Sequence, residues 1–488
     1  MTWWTVATIA EVIWIVVMGV GIVLERRSPV ATIAWIVLLA WLPFLGVAVY
    51  FFFGPRRLKR RTLKRAAGQK LLAHAVASIR EDSEHPIARG QLAQLVVGAG
   101  EAPPLRATKV ELHFDGETAY SSIFAAIDAA KHHVHLEYYI YEPGKIGAEL
   151  RDRLIACRKR GVEVRLLIDW VGSHGLRAAF FDDLVAAGGE LAWFNPVASR
   201  RINWRFTNFR SHRKICVVDG CVAFTGGMNI ADCHGGDDMI GSAHIGARMS
   251  GGPAAEDAKY WRDTNVQFEG SAVRALARVF LEDWYFATEK PPPTGERYLV
   301  PPDKNGDELV QVVASGPDAS MYAIQKLYFG AITSARERVW LETPYFVPDE
   351  PLIEALASAA LRGVDVRLIV PERGDNRVVD YAARSYFPDL LRVGAQVLEY
   401  TPRFIHAKTC VIDGDLSIVG TANLDNRSFR LNFEVVAAIY GEKTNHALAA
   451  AFEKDLEGTH PVKNKELRRE PFAQRASEAV ARLFSPML

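Results

Sequence analysis

The chain has 488 residues, too many for one ordinary core, so two or more domains are expected. It is 49% apolar with a formal net charge of +1, which excludes a nucleic-acid binder that works through a broad basic surface. Its five cysteines, Cys157, Cys216, Cys221, Cys233 and Cys410, form no C-x-x-C pair. Cys216 and Cys410 sit in apolar runs, which argues for reduced, structural thiols.

Apolar residues crowd the amino-terminal end. Trp3–Leu24 carries one acid, Glu11, and Val30–Phe53 carries no charge; Glu25-Arg26-Arg27-Ser28-Pro29 separates them. At 1.5 Å per residue each run is long enough for a ~30 Å hydrocarbon core, so residues 1–55 are expected to form a two-helix transmembrane hairpin. A signal peptide would need a positive leading region and a small-residue cleavage site, and neither is evident. Glu11 would face the partner helix or a polar cavity. Arg56–Arg65 holds seven basic residues against two in the loop between the runs. This bias predicts a multi-pass protein of the bacterial inner membrane with its catalytic part in the cytoplasm and the basic cluster against anionic headgroups. Residues 56–105 read as a basic juxtamembrane linker.

The remainder is written twice. His135-Leu136-Glu137-Tyr138-Tyr139 resembles Trp340-Leu341-Glu342-Thr343-Pro344-Tyr345, and Arg160–Ile168 recurs as Arg362–Val370. His212-Arg213-Lys214-Ile215-Cys216-Val217-Val218-Asp219-Gly220 recurs 194 residues later (212 to 406) as His406-Ala407-Lys408-Thr409-Cys410-Val411-Ile412-Asp413-Gly414. A repeat of this length is a duplicated domain. Val134–Ile140 and Val164–Ile168 read as strands around a helix over Ala148–Arg160; Val339–Glu342, Leu352–Leu361 and Val366–Val370 repeat the pattern. The alternation predicts an α/β fold of mainly parallel mixed sheets with helices on both faces. The Pro- and Gly-rich stretch Pro291–Asp307 reads as the linker, giving domains 106–300 and 301–488.

The pattern H-x-K-x4-D would arise by chance roughly 0.03 times here, yet it occurs twice in matching context. On a strand, His212 and Lys214 share one face, as do His406 and Lys408. Histidine supplies a nucleophile or a proton donor near neutrality, and lysine supplies charge for phosphate oxygens. Asn229 and Asn423 add hydrogen-bonding groups at equal spacing. Asp263 and Glu434 align across the repeat, each seven residues before a glycine, and are expected to orient the two histidines. No cluster shows metal-ligand spacing, so no metal or cofactor is expected.

These motifs resemble the HKD signature of the phospholipase D superfamily. Arg27-Ser28-Pro29, Ala34-Trp35, Leu42-Pro43, Trp261-Arg262-Asp263-Thr264 and Ala481–Pro486 extend the resemblance over essentially the whole chain, to the bacterial cardiolipin synthase family within it. The resemblance implies two tandem domains of that superfamily and transfer of a phosphatidyl group from one phosphatidylglycerol to another through a phosphatidyl-histidine, giving cardiolipin and glycerol. It implies membrane phospholipids as substrates, and the hairpin with its basic block argues for lipid and no nucleic acid; an oligomer is allowed. His212, Lys214, Asp219, His406, Lys408 and Asp413 are the catalytic candidates, with the two aspartates mostly structural in that superfamily. The resemblance favours His212 as nucleophile, although the two sets are too alike for the residues to decide. Phospholipid or nucleic-acid hydrolysis and a non-catalytic lipid-binding scaffold are the competing readings. The Gly-, His- and Asp-rich stretch Cys233–Glu256 lengthens the motif-to-acid spacing to 51 residues (212 to 263), against 28 (406 to 434), and bears on acceptor choice.

Overall fold

A computed structural model describes residues 3–24, 29–42, 46, 71, 89–196, 209–236, 260–291, 293, 298–299, 305–319 and 321–488. The chain divides into two compact units. In the first, helices Trp3–Leu24 and Pro29–Trp41 pack through Trp14, Met18 and Ile22 against Trp35 and Leu39, residues spaced by four so that each set shares one helix face. Val12, Ile13, Val16, Val17, Val20, Ile33 and Val37 point away from this seam and are exposed. Among the described residues no helix is long and apolar enough to cross a membrane. The expected pair of spans is therefore not met there: the second helix has 13 residues, ~20 Å of rise, and stops at Trp41. The rest of that run and the cluster Arg56–Arg65 lie outside the described residues.

The second unit holds two sheets of the same strand order. The first runs Lys109–His113, Asn265–Glu269, Val222–Gly226, Lys214–Val218, His133–Tyr138, Glu163–Asp169, Glu190–Phe194. The second runs Glu308–Ser315, Glu434–Tyr440, Leu416–Gly420, Thr409–Ile412, Arg338–Glu342, Asp365–Pro371, Gln396–Tyr400, with Leu105–Ala107 and Thr459–Pro461 added at its edges. The expectation of mainly parallel sheets needs correction. Only three strands in each are mutually parallel; the other neighbours pair antiparallel. The reason is local. Asp219-Gly220 and Asp413-Gly414 close tight hairpins after the histidine strands; Asp219 (φ 54°), Gly220 (φ 65°) and Asp413 (φ 47°) take the left-handed conformation such turns need.

Helices Gly116–Ala129 and Lys145–Lys159 cover one face of the first sheet, and Ala323–Ser334, Glu350–Leu361 and Phe387–Arg392 one face of the second. The opposite faces meet each other. Ile215, Val217, Ala223, Val266 and Phe268 share one core with Val310, Val312, Val435, Ala437 and Ile439, completed by helices Val273–Thr288 and Glu442–Leu456. Alternation along the strand produces this: Ile215 and Val217 face the joint core while Cys216 and Val218 face the helices. The halves are also laced by chain crossing. Leu105–Ala107, which precedes the first sheet, pairs with Glu308–Ser315 of the second, and helix Gly90–Gly98 packs on Ala323–Ser334.

Candidate active site

Both histidines lie where their strands begin, beside the carboxyl ends of the parallel strands His133–Tyr138 and Arg338–Glu342. Each is placed by backbone from the other half. His212 N donates to Phe433 O (2.8 Å), and Phe433 N to Arg210 O (2.8 Å). His406 N donates to Arg262 O (2.7 Å), and Arg262 N to Phe404 O (2.9 Å). Phe433 and Arg262 are the residues just before the two aligned acids, so each crossing also delivers an acid to the opposite histidine. His212 Nδ1 lies 3.0 Å from Glu434 Oε2, and His406 Nδ1 lies 2.7 Å from Asp263 Oδ2. A carboxylate only accepts, so each Nδ1 carries a proton and Nε2 is left with the lone pair.

The two acids are supported differently. Glu434 Oε2 accepts from Thr421 Oγ1 (2.5 Å) and Oε1 from Asn432 Nδ2 (3.1 Å). Asp263 Oδ1 accepts from Thr264 N (2.7 Å). Gly227, which aligns with Thr421, leaves no room for a side chain: a Cβ there would stand 2.0 Å from Asp263 Oδ1. Instead His234, buried, brings Nδ1 to 3.5 Å from Asp263 Oδ2 and sets its ring edge-on against His406, at 5.3 Å. Neither nitrogen of His234 makes a hydrogen bond. His234, Asp263 and His406 are the group among the described residues that could hold a metal ion, with ligand atoms within 4.8 Å of one another. The neighbouring buried ammonium groups of Lys214 and Lys408 oppose a dication there, and His406 Nδ1 is already committed to Asp263.

Burial dominates the protonation states. It pushes His212 down to about 4 against the attraction of Glu434, and His406 well below its ordinary value, with Lys408 and Lys214 adding to the fall. Both imidazoles are therefore neutral before substrate arrives. The positive charge of the two lysines is a lesser influence than burial on both. Burial also lowers Lys214 to about 7 and Lys408 to about 8. Each ammonium donates to the carbonyl of its own histidine, Lys214 Nζ to His212 O at 2.7 Å and Lys408 Nζ to His406 O. Two further protons on each remain for an anionic ligand, whose charge would restore the lysines.

Of the other expected site residues, Asn229 and Asn423 are buried in the loops after the hairpins. Asn229 Oδ1 accepts from Ile140 N (3.3 Å) and Asn423 N donates to Ser428 Oγ (3.2 Å). Asp219 and Asp413 are not brought to the histidines. They sit at the far end of the same strands: Asp219 accepts from the backbone of Lys131, His132 and His133 (2.8–2.9 Å), and Asp413 from that of Arg336, Glu337 and Arg338 (2.8–3.1 Å). Sequence reasoning missed His234 and Thr421, and also a buried charge set beneath each histidine. Arg213 pairs with Asp283 beside Glu137, whereas Arg262 pairs with Asp455 (2.7 Å) beside Glu342. Glu137 and Glu342 stand in the repeated strand and were legible; the arginines come from unmatched positions and were not.

The family described as "Cardiolipin synthase, PLD-like domain" matches residues 123–233 and 328–456, one stretch in each half, and "Phospholipase_D-nuclease N-terminal" matches 12–55. The cardiolipin synthase of Geobacillus kaustophilus is 40% identical over 97% of this chain and 92% of its own length. That of Alkalihalophilus pseudofirmus is 37% identical over 99% and 95%. The crystal structure of phosphatidylserine synthase from Haemophilus influenzae superposes with a TM-score of 0.60 over 82% of this chain and 100% of that one, at 15% identity, and so shares the fold. On relatives this similar over nearly the full length, and on a domain family found in both halves, the chain belongs to the cardiolipin synthase family of the phospholipase D superfamily.

Proposed function

We propose that the chain transfers a phosphatidyl group from one phosphatidylglycerol to the hydroxyl of another, making cardiolipin and glycerol. The observation that carries this is the crossed pair of acid–histidine sets, which leaves two imidazole Nε2 atoms with lone pairs beside two buried lysines. His212 Nε2 attacks phosphorus; the bond from phosphorus to the glycerol oxygen breaks, and His406 delivers a proton to that oxygen. The anionic phosphodiester raises His406, so that its Nε2 takes up that proton from solvent as the lipid binds, and Asp263 stabilises the resulting imidazolium. A hydroxyl of the second phosphatidylglycerol then gives its proton to His406 while its oxygen attacks phosphorus, and the bond to His212 breaks. Lys214 and Lys408 hold the phosphoryl oxygens through both steps. Glu434 does for His212 what Asp263 does for His406.

In this reading domains 106–300 and 301–488 each contribute one histidine–lysine pair and the acid that serves the other's histidine. Residues 1–55 anchor the chain in the bacterial inner membrane as two spans, with the later residues on the cytoplasmic side. The exposed apolar side chains of the two amino-terminal helices and the basic cluster of Arg56–Arg65 support this. The test is product analysis: full-length protein in phosphatidylglycerol vesicles should release glycerol and form cardiolipin, and His212→Ala should form neither. Phosphatidic acid in place of cardiolipin would mean hydrolysis.

A further inference from the structure

The carboxyl-terminal helix Phe472–Leu483 is turned inside out. Two of its polar residues face the protein: Glu478 is buried 3.4 Å from Arg384 Nε, and Gln474 Nε2 donates to Glu478 Oε1 (3.3 Å). Arg384 also holds Glu470, just ahead of the helix, at 2.5 Å. The opposite face is apolar and open. Phe472 is 78% exposed and Leu483 77%, with Val480 and Phe484 also exposed and the small Ala473 and Ala479 among them. At 100° per residue, positions 472, 476, 480 and 483 fall within one quarter of the circumference, so these side chains form one stripe. Arg468, Arg469 and Arg475 are exposed around it, while Glu470 and Glu478 are drawn inward onto Arg384 and the exposed Glu466 is paired with Lys463 (3.6 Å).

We infer that this helix lies in the surface of an anionic lipid bilayer, with Phe472, Val480, Leu483 and Phe484 in the acyl boundary and the arginines among the headgroups. The inference deepens the lipid-substrate reading, on which it rests for the presence of a bilayer. Glutamate and glutamine normally face water; here the protein takes up Glu478 and Gln474, and the apolar face is left for a medium that is not water. A stripe one helix wide and ~18 Å long is much less than the ~800 Å² each partner buries in a stable protein interface. The arginine rim matches phosphate headgroups, each basic residue adding about 1 kcal/mol near an anionic surface. The stripe is also fixed to the catalytic body. Arg482 donates to Ser385 O (2.9 Å) and Asp389 Oδ2 (3.0 Å), and Leu488 O accepts from Arg427 N (2.8 Å), on the helix that follows Asn423. The body would thus meet the bilayer at a set angle.

The test uses full-length protein in phosphatidylglycerol vesicles with Cys221→Ser and Cys233→Ser. An environment-sensitive fluorophore is placed singly through Val480→Cys, Leu483→Cys or Phe472→Cys, with Gln474→Cys as the inward control. Emission at the three outward positions should shift to the blue and lose most of its intensity when the lipids carry bromine on their acyl chains; position 474 should change little. The same series in a His212→Ala background should give the same pattern, because placement does not need turnover, so failure of the catalytic reading is seen separately. Thermal midpoints verify that each variant is folded, and three outward sites guard against loss of one. Absence of bromine quenching at all three outward positions overturns the inference, whether the label sits in water or under a second copy or another protein.

Discussion

The two halves hold the same strand order and the same histidine–lysine pair, yet they secure their acids by different means. Glu434 is held by two side chains, Thr421 and Asn432, whereas Asp263 is held by the backbone of Thr264 and flanked by His234. The reason is steric. Position 227 must be glycine to admit the Asp263 carboxylate, so the first half cannot offer the hydroxyl that Thr421 offers in the second. A duplicated frame thus gives two imidazoles with the same tautomer and unequal surroundings, an asymmetry that the proposed division into nucleophile and proton carrier would use.

The strongest way to break the comparison is to remove one histidine at a time. His212→Ala and His406→Ala should each lower turnover roughly 10³-fold or more. They should differ in the trapped species: brief exposure to labelled phosphatidylglycerol, an acid-free quench and peptide mapping should place the adduct on the His212 peptide. His406→Ala should still form it with an activated leaving group. Adduct on the His406 peptide alone would reverse the roles.

The acids come next. Glu434→Ala and Asp263→Ala should each cost roughly 10²- to 10⁴-fold in turnover with the fold retained. A double-mutant cycle sharpens this: Glu434→Ala should add little once His212 is gone but its full effect in an Asp263→Ala protein. Coupling of Glu434 to His406 instead would contradict the crossed pairing.

The supports of the acids should matter less. Gly227→Ala pushes on Asp263, and Thr421→Val strips a hydrogen bond from a buried carboxylate; each should lower turnover roughly 10- to 100-fold. Gly227→Ala should act mainly on the proton-transfer steps, read as a larger rate loss with poor leaving groups than with activated ones. Equal losses for both would remove the distinction.

The smallest effect concerns acid stability, and it too separates the halves. The first has buried His133 and His135 where the second has Arg338 and Trp340 on the equivalent strand. Burial lowers His133 to about 4, so the folded state binds fewer protons than the unfolded one. Its stabilising share is complete above an ordinary histidine value of about 6.5 and is lost as pH falls from there toward 4. Thermal midpoints should drop between pH 7 and 5, and His133→Phe should reduce that drop by roughly 2–4 °C. An unchanged slope would place the acid sensitivity elsewhere.

Much of the site was legible because duplication prints its essentials twice. The H-x-K-x4-D pair located the histidines and lysines, and alignment singled out Asp263 and Glu434 as candidate partners. The strand–helix–strand segments fell within three residues of Lys145–Lys159, Glu163–Asp169, Glu350–Leu361 and Asp365–Pro371. The antiparallel share of each sheet was not foreseen, although the Asp-Gly hairpins that cause it were in view. Nor could spacing reveal that His234 would be folded beside Asp263, because it belongs to a stretch with no counterpart in the other half.

Local sequence determined the chemistry on each strand: periodicity of two sets His212 beside Lys214, and a turn residue after an apolar run sends Asp219 to the opposite end. Which acid meets which histidine was decided only by tertiary structure. Phe433 pairs with the chain at Ser211, and Arg262 with the chain at Ile405, so each half finishes the other's site. Those pairings depend on two sheets burying their inner faces in one core, a contact between residues some 200 positions apart that no local pattern encodes.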